Sequence, residues 1–553
     1  MASPATTVAP SPPISERKAS SDSDSRSGSS AARKPFYAQQ GLRFWLVVLA
    51  LCCSSFLSAL DLTAVSTALP QIASDFRSQD YSWVGSAYSL TSTALIPWTG
   101  GLAQIFGRRP MMLLGLAVFA LGSALVGASQ NMAMVIAGRS VQGVGGGAIL
   151  TMSAIVLTDL VPLAERGVFF GVLGAVWALA SAIGPPIGGA LASAGAWRWL
   201  FYLNLPLTGM AMVLVFFCLD MKEPATTWRE KLAQMDYANV IFVASSTAAI
   251  LGLTWGGTTY AWSSFRVLVP LVVGFAGMVL FLAIEKTSFV KHPTVPFEIL
   301  RHPTSLIGYV IAFLHGIVVM CIIYFFPIFL QACYGVSAVG SGIDSFTLSF
   351  TIAPFAVIGG ISIVMSGHYQ EQNLLGFGLA AIGFGLMTLL KWDSVTAAWA
   401  GYSVMVGVAL GVLYPATEFP VVAPLTPAQQ PQGVTFINFV RSFGQVFGIS
   451  IGTTVLGNQL SKHLPADFAA SLGKGEGAIA AIPYIKDLDE PLRTAVRAAF
   501  ADSLKVVWQT CIGLSGLGLV LSLFIKNMPL ATSTDEENWG LREKVRNSPT
   551  LAA

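Results

Sequence analysis

Residues 83–128 read WVGSAYSLTSTALIPWTGGLAQIFGRRPMMLLGLAVFALGSALVGA, two apolar runs (83–103 and 110–128) on either side of a short basic turn. Wound as a helix at ~1.5 Å per residue, each run is about long enough to cross the ~30 Å hydrocarbon layer of a bilayer. The pattern predicts two membrane-crossing helices joined by a tight loop. Similar runs recur near 44–66, 132–158, 166–192, 199–219, 238–255, 267–285, 306–330, 343–366, 373–390, 396–424, 433–457 and 505–526, about fourteen spans in all.

Composition agrees. Of 553 residues 54% are hydrophobic and 11% charged, and mean hydropathy is +0.67. A soluble chain carries roughly a quarter charged residues, because its surface must face water. The net charge of +3 says little about partners; what matters is where Lys and Arg sit. If the chain starts inside, the inner loops hold Arg108-Arg109, Arg166, the run Lys222 to Lys231, Lys286, Lys291 and Arg301, against Arg77, Arg198 and Lys391 outside. An even span count with this bias predicts both termini in the cytoplasm.

Residues 1–40 are rich in Ser, Pro and Ala, are not a signal peptide and are expected to be disordered. The tail from 527 to 553 is polar and expected to be a disordered cytoplasmic segment. The stretch 458–504 is expected to be a long external loop. Leu492, Val496, Phe500 and Leu504 fall four apart within it, which predicts an amphipathic helix lying on the membrane face. The six cysteines lie in or beside apolar stretches with no metal spacing and read as small apolar helix residues.

Several motifs carry more than hydropathy. Gly101-Leu102-Ala103-Gln104-Ile105-Phe106-Gly107-Arg108-Arg109 closes the second span; its glycines permit a tight turn and close helix approach. Its arginines can pair with carboxylates or helix C-termini. This loop resembles the signature between helices two and three of the major facilitator superfamily, and the resemblance extends over nearly the whole chain. Leu60-Asp61-Leu62-Thr63-Ala64-Val65-Ser66-Thr67-Ala68-Leu69-Pro70, Arg139-Ser140-Val141-Gln142-Gly143 and Gly184-Pro185-Pro186-Ile187-Gly188-Gly189 are similar to motifs of its fourteen-span drug:proton antiporters, the last a mark of exporters. Trp197 to Pro206 and Trp255-Gly256-Gly257 look like the fungal members.

The resemblance implies an all-α membrane protein of two six-helix bundles (41–220 and 305–526) with two additional helices in 221–304. It implies gating by Gly101, Gln104, Gly107, Arg108, Arg109, Asp159 and Arg166, with Gly184, Pro185, Gly188 and Gly189 as a bend that sets direction. Gln104 stands where the family usually has Asp. A Gln cannot supply the latching charge, so the latch is expected to be weaker or built from Asp159, Glu165 and Arg166.

Charges inside a span are functional candidates because an unpaired one costs several kcal/mol. Asp61 and Arg139 lie at similar depths, roughly 13 and 12 Å from the outer face. In the resembled fold their helices are neighbours, so they can pair, either as a proton-coupling switch or as a static structural bridge. Glu418 and Arg441 sit roughly 10–12 Å from the inner face. That pair reads first as a structural bridge, with a second proton or substrate site as the sharper alternative. Gln142, Trp177, His315 and Tyr324 are candidate cavity residues, His315 reading first as a hydrogen-bonded core residue and otherwise as a proton carrier.

Gly143-Val144-Gly145-Gly146-Gly147 lies in an apolar run with no strand before it, and no Walker A sequence is present, so neither dinucleotide binding nor ATP drive is expected. No enzyme activity, metal, cofactor or nucleic-acid partner is expected; the proton gradient supplies the energy. The expected function is proton-coupled export of small amphipathic organic compounds by a monomer at the plasma membrane. Import or vacuolar uptake of siderophores, polyamines or basic amino acids is the transport alternative, and a non-transporting nutrient sensor the alternative of another class.

Overall fold

The computed structural model describes residues 40–76, 82–222, 227–257, 260–287, 290, 293–466, 468 and 482–541. The expected disorder of 1–39 and of 542–553 lies outside them. From Leu42 onward the described residues form one compact unit, helical with no named strand among them.

The first six expected spans are α1 (Leu42–Phe76), α2 and α3 (Ser82–Ala94, Ile96–Phe106), α4 (Arg108–Gly127), α5 (Met132–Leu160), α6 (Leu163–Ser193) and α7 (Trp199–Cys218). A short α8 (Trp228–Gln234) leads to the additional pair α9 (Asn239–Trp255) and α10 (Phe265–Glu285). The second set is α11 (Pro303–Tyr334), α12 and α13 (Ala338–Asp344, Phe346–Ser366), α14 (Gln370–Met387), α15 and α16 (Thr396–Ala416, Phe419–Val422), α17 (Gln430–His463) and α18 (Leu492–Ser522). A last turn, α19, covers Glu536–Trp539.

Eleven of these helices are long and apolar enough to cross a membrane, twelve if the bent pair α8–α9 is one span. Two expected spans fall short for local reasons. The second is split at Leu95, where Pro97 enters the first turn of α3 without an N–H to donate. The span at 373–390 is α14, which opens on the polar run Gln370-Glu371-Gln372-Asn373. With these, every expected segment has its helix.

Local chemistry sets several ends. Gly107 adopts φ +96, which lets α3 turn directly into α4; a side chain there would be strained. The Asn131 side chain accepts from the Met134 N–H at 2.8 Å and starts α5. Glycine-lined seams then join the two halves. An added Cβ on Gly360 of α13 would lie 2.0 Å from the Gly167 carbonyl oxygen of α6, and one on Gly171 2.5 Å from that of Ala356. Such approach is open only to residues without side chains. On the other side α9 spans the junction, touching α2 through Trp83–Trp255 (centroids 6.0 Å apart) and α17 through Phe242–Phe439 (4.9 Å). Most of α10 faces outward with exposed Val269, Val272, Val273 and Val279, as lipid contact requires.

Two sequence expectations are corrected. The proposed surface helix at 490–504 is the first part of the continuous helix α18, and α17 runs on to His463, so the interhelical stretch is shorter than 458–504. Val496, Phe500 and Leu504 are fully buried in a core shared with Phe325, Phe329 and Trp508. The four-residue spacing marked a face that packs on protein rather than on lipid. The tail, second, is ordered from 527 to 541 and runs back over the helices.

Candidate functional site

The face bearing Arg108, Arg109 and Arg166 is closed by a set of polar locks. Arg108 is buried; its Nε donates to Asp159 at 2.8 Å, and its Nη1 donates to the Ala103 carbonyl at 2.7 Å, capping α3. Arg109 is partly exposed and donates to the Phe216 carbonyl at 2.6 Å. Arg166 binds the Thr158 and Val161 carbonyls within its own half and reaches across to Gln430 Oε1 of α17 at 2.9 Å. Gln104 accepts from Gln432 of α17 at 3.4 Å. Polar contact across the halves therefore exists here without a carboxylate at position 104. Its charge comes from Arg166, and its partner, Gln430, was not singled out because a Gln at a helix start carries no distinctive signal. Gly101 packs its bare Cα against Thr294.

The exporter-like motif lies in α6, which stays helical through both prolines. A Cβ on Gly184 would sit 2.2 Å from Thr63 Oγ1, one on Gly188 2.0 Å from the Ala64 carbonyl oxygen, and one on Gly189 2.3 Å from Val339 Cγ2. Thr67 Oγ1 donates to the Pro185 carbonyl at 3.1 Å. The segment is thus a packing seam of α6 against α1 and α12. Gly188→Ala is expected to force α1 and α6 apart at a cost of roughly 1–3 kcal/mol, read as a lower melting temperature in detergent. Gly513→Ala, whose added Cβ meets nothing within 4 Å, is the matched control and should melt like the parent.

Asp61 and Arg139 do meet. Arg139 Nη1 donates to Asp61 Oδ2 at 2.5 Å, while Gln142 and Asn204 donate to Asp61 Oδ1 at 2.8 and 2.7 Å. Arg139 also donates to the Val84 carbonyl and lies 4.5 Å over the Tyr88 ring. Ser123 completes the network by accepting from Gln142 at 2.7 Å. Every member is buried inside the first half. Gln142, expected at the substrate cavity, instead belongs to this network, since its amide is the bridge that fills the acceptors of Asp61. Asn204 and Ser123 were missed; a polar side chain on an apolar helix was the available signal.

The second pair is placed differently. Arg441 Nη1 is 3.5 Å from Glu418 Oε1, and Arg441 also donates to Thr417 Oγ1 at 3.0 Å and the Tyr414 carbonyl at 3.3 Å. Glu418 Oε2, Asn438 Nδ2 and Ser153 Oγ are buried without a hydrogen-bond partner among the described residues. Glu418, Asn438 and Tyr414 from the second half meet Ser55, Ser153 and Trp177 from the first around a cavity of about 20 Å³, room for about one water. Here alone, among the polar clusters described, a carboxylate with an unused oxygen sits where the two halves face each other. His315 is buried edge-on to Tyr414 at 6.4 Å, beside the Leu410 carbonyl and without a well-formed hydrogen bond. Tyr324 is 43% exposed and meets Phe325 edge-on, so it does not line this cavity. Asn438, one turn before Arg441, was overlooked because it is uncharged.

Two helical halves joined along glycine seams close over a small polar cavity between them. A family model described as Major Facilitator Superfamily matches residues 51–449. The efflux pump FUS6 of Gibberella fujikuroi is 36% identical over 530 residues, 94% of this chain and 95% of that protein. The MFS-type efflux pump LUC4 of a Fusarium species is 38% identical over 521 residues, 92% of each. The Acurin A biosynthesis cluster MFS-type transporter of Aspergillus aculeatus is 35% identical over 511 residues, 90% of this chain and 92% of that protein. The proton:xylose symporter XylE shares the fold at a TM-score of 0.56 and 11% identity, over 88% of this chain and 97% of that one. This chain belongs to the major facilitator superfamily and is a multi-pass membrane protein.

Proposed function

We propose that the protein is a proton-coupled antiporter exporting small amphipathic organic compounds, of the drug, toxin or secondary-metabolite class. We place it as a monomer in the plasma membrane with both termini and the arginine-bearing face in the cytoplasm. The efflux names of relatives such as FUS6 and LUC4 support export, and the concentration of arginines on one face supports the orientation.

The observation that carries the coupling is the unpartnered Glu418 Oε2 at the junction of the halves. As a carboxylate, Glu418 holds Arg441. Protonation removes that charge and loosens this pair within the second half, so the wall it forms at the junction can rearrange around the cavity. Trp177 and Tyr414 supply apolar faces, and Ser55, Ser153 and Asn438 supply polar contacts, the lining an amphipathic compound needs. Asp61, with its oxygens already filled by Arg139, Gln142 and Asn204, anchors the first half instead.

The test is flux in proteoliposomes holding the purified protein under an imposed pH gradient. A panel of lipophilic cations, neutral drugs and organic acids is added. Substrate-triggered proton movement opposite to substrate movement is the expected result. Co-directional movement would replace export with import, and no gradient-dependent flux of any compound would sink the antiporter assignment.

A further inference from the structure

The chain after α18 starts on one half and finishes on the other. On the second half, Asn527 Oδ1 accepts from the Tyr369 and Gln370 N–H groups at 3.1 and 3.0 Å, capping α14. Tyr369 Oη donates to the Lys526 carbonyl at 2.8 Å and accepts from the Met528 N–H at 3.1 Å. Four residues later, Ala531 O accepts from the Ala164 N–H at 3.0 Å, at the start of α6 in the first half. The segment then places the Trp539 ring 3.3 Å from the Arg108 guanidinium carbon. It ends with Lys222 N–H donating to the Gly540 carbonyl at 3.0 Å and an antiparallel bridge between Met221 and Leu541.

This path has a mechanical consequence. Opening the arginine-bearing face means moving Tyr369 away from Ala164, and four residues at full extension span at most about 14 Å. Any wider opening must peel the tail from one half. Its far anchor is the side chain that already holds the gate, because Arg108 is bonded to Asp159 and Ala103 and Trp539 covers its face. A desolvated cation–aromatic contact is strong enough to matter for a transition of a few kcal/mol. Trp539 also walls a cavity of about 390 Å³ beside Gln104 and Gln432, the other polar cross-contact of this gate.

We infer that residues Met528–Leu541 form a strap that holds the arginine-bearing gate shut, with Trp539 as the positioning residue acting through Arg108. Release of the strap is a step in every cycle that loads substrate from that face. The strap goes beyond the export assignment and needs only that the two halves part there.

The experiment reads gate opening directly, without substrate or proton gradient. Ser153, buried in the wall of the central cavity, is replaced by Cys in the full-length protein. Labelling by a membrane-impermeant maleimide is followed in inside-out vesicles, against the parent lacking that cysteine. Trp539→Ala and a chain ending at Asn527 are each expected to raise the labelling rate about 3- to 30-fold. Trp539→Phe, which keeps an aromatic face, should return most of the way to the parent rate. In flux assays the Ala variant should lower the apparent KM for substrate offered on that side, since the loading-competent state is more populated. A labelling rate unchanged in both the Ala variant and the shortened chain, with both monodisperse, overturns the strap. A Phe variant that labels as fast as the Ala variant overturns Trp539 as its positioning residue. Failure of export with labelling still accelerated would sink the antiporter reading and leave the strap standing.

Discussion

Glu418→Gln is expected to abolish substrate-driven proton movement while the protein stays folded. Gln keeps the shape of the side chain but can neither carry the proton nor hold Arg441 with a full charge. Losing one charge-assisted hydrogen bond in a buried setting is worth roughly 1.5–3 kcal/mol. The hold of Arg441 of α17 on the Glu418 end of α16 should therefore weaken by about 10- to 150-fold. Exchange of substrate for substrate, which needs no net proton transfer, should persist and lose its dependence on pH. The measurement is counterflow in proteoliposomes across a pH series beside net proton uptake in the same preparation. Proton movement that survives in Glu418→Gln and vanishes in Asp61→Asn would move the coupling carboxyl into the first half. The cavity geometry would then describe substrate contact alone.

Arg139→Ala should have the largest effect on stability. It leaves Asp61 fully buried with its charge uncompensated, and breaking a buried pair from one side costs roughly 3–5 kcal/mol. Gln142 and Asn204 would still donate to Asp61, but neither carries charge. The expected readout is loss of the monodisperse peak and a melting temperature well below the parent. Replacing both partners, Asp61→Asn with Arg139→Gln, removes the buried charge altogether and should recover much of that loss. Recovered stability with full coupling would fix this network as an anchor. Recovered stability with coupling lost would give Asp61 a share in proton transfer.

Much of the fold was legible because lipid imposes a simple rule. A helix crossing hydrocarbon must satisfy its own backbone and present apolar side chains, so its length and hydropathy are written locally. That rule placed α4, α5, α7 and α11 closely, and it blurred where the chain departs from it, at Pro97 and in the polar opening of α14. The spacing of Leu492 to Leu504 showed an apolar face, but periodicity does not say whether protein or lipid covers it. The ordered tail was invisible for a related reason. Its hold rests on backbone bonds from Ala531 and Gly540 and on one indole over one guanidinium, none of which raises local hydropathy.

The same division runs through the site. By itself the sequence determined that charges at 61, 139, 418 and 441 lie within apolar helices, where desolvation demands a partner, and that a basic turn follows α3. Only the tertiary structure decided how each demand is met. Asp61 is filled by three side chains from two helices, α5 and α7, and sealed within one half, whereas Glu418 keeps an oxygen unpaired at the boundary between halves. Gln104 lacks the charge of a latch, and the closing contact passes to Arg166 and Gln430, 264 residues apart along the chain. The physical reason is the range of the forces involved. Burial of a helix is fixed by its own twenty residues, but a hydrogen bond between halves depends on which helices the whole chain brings within 3 Å.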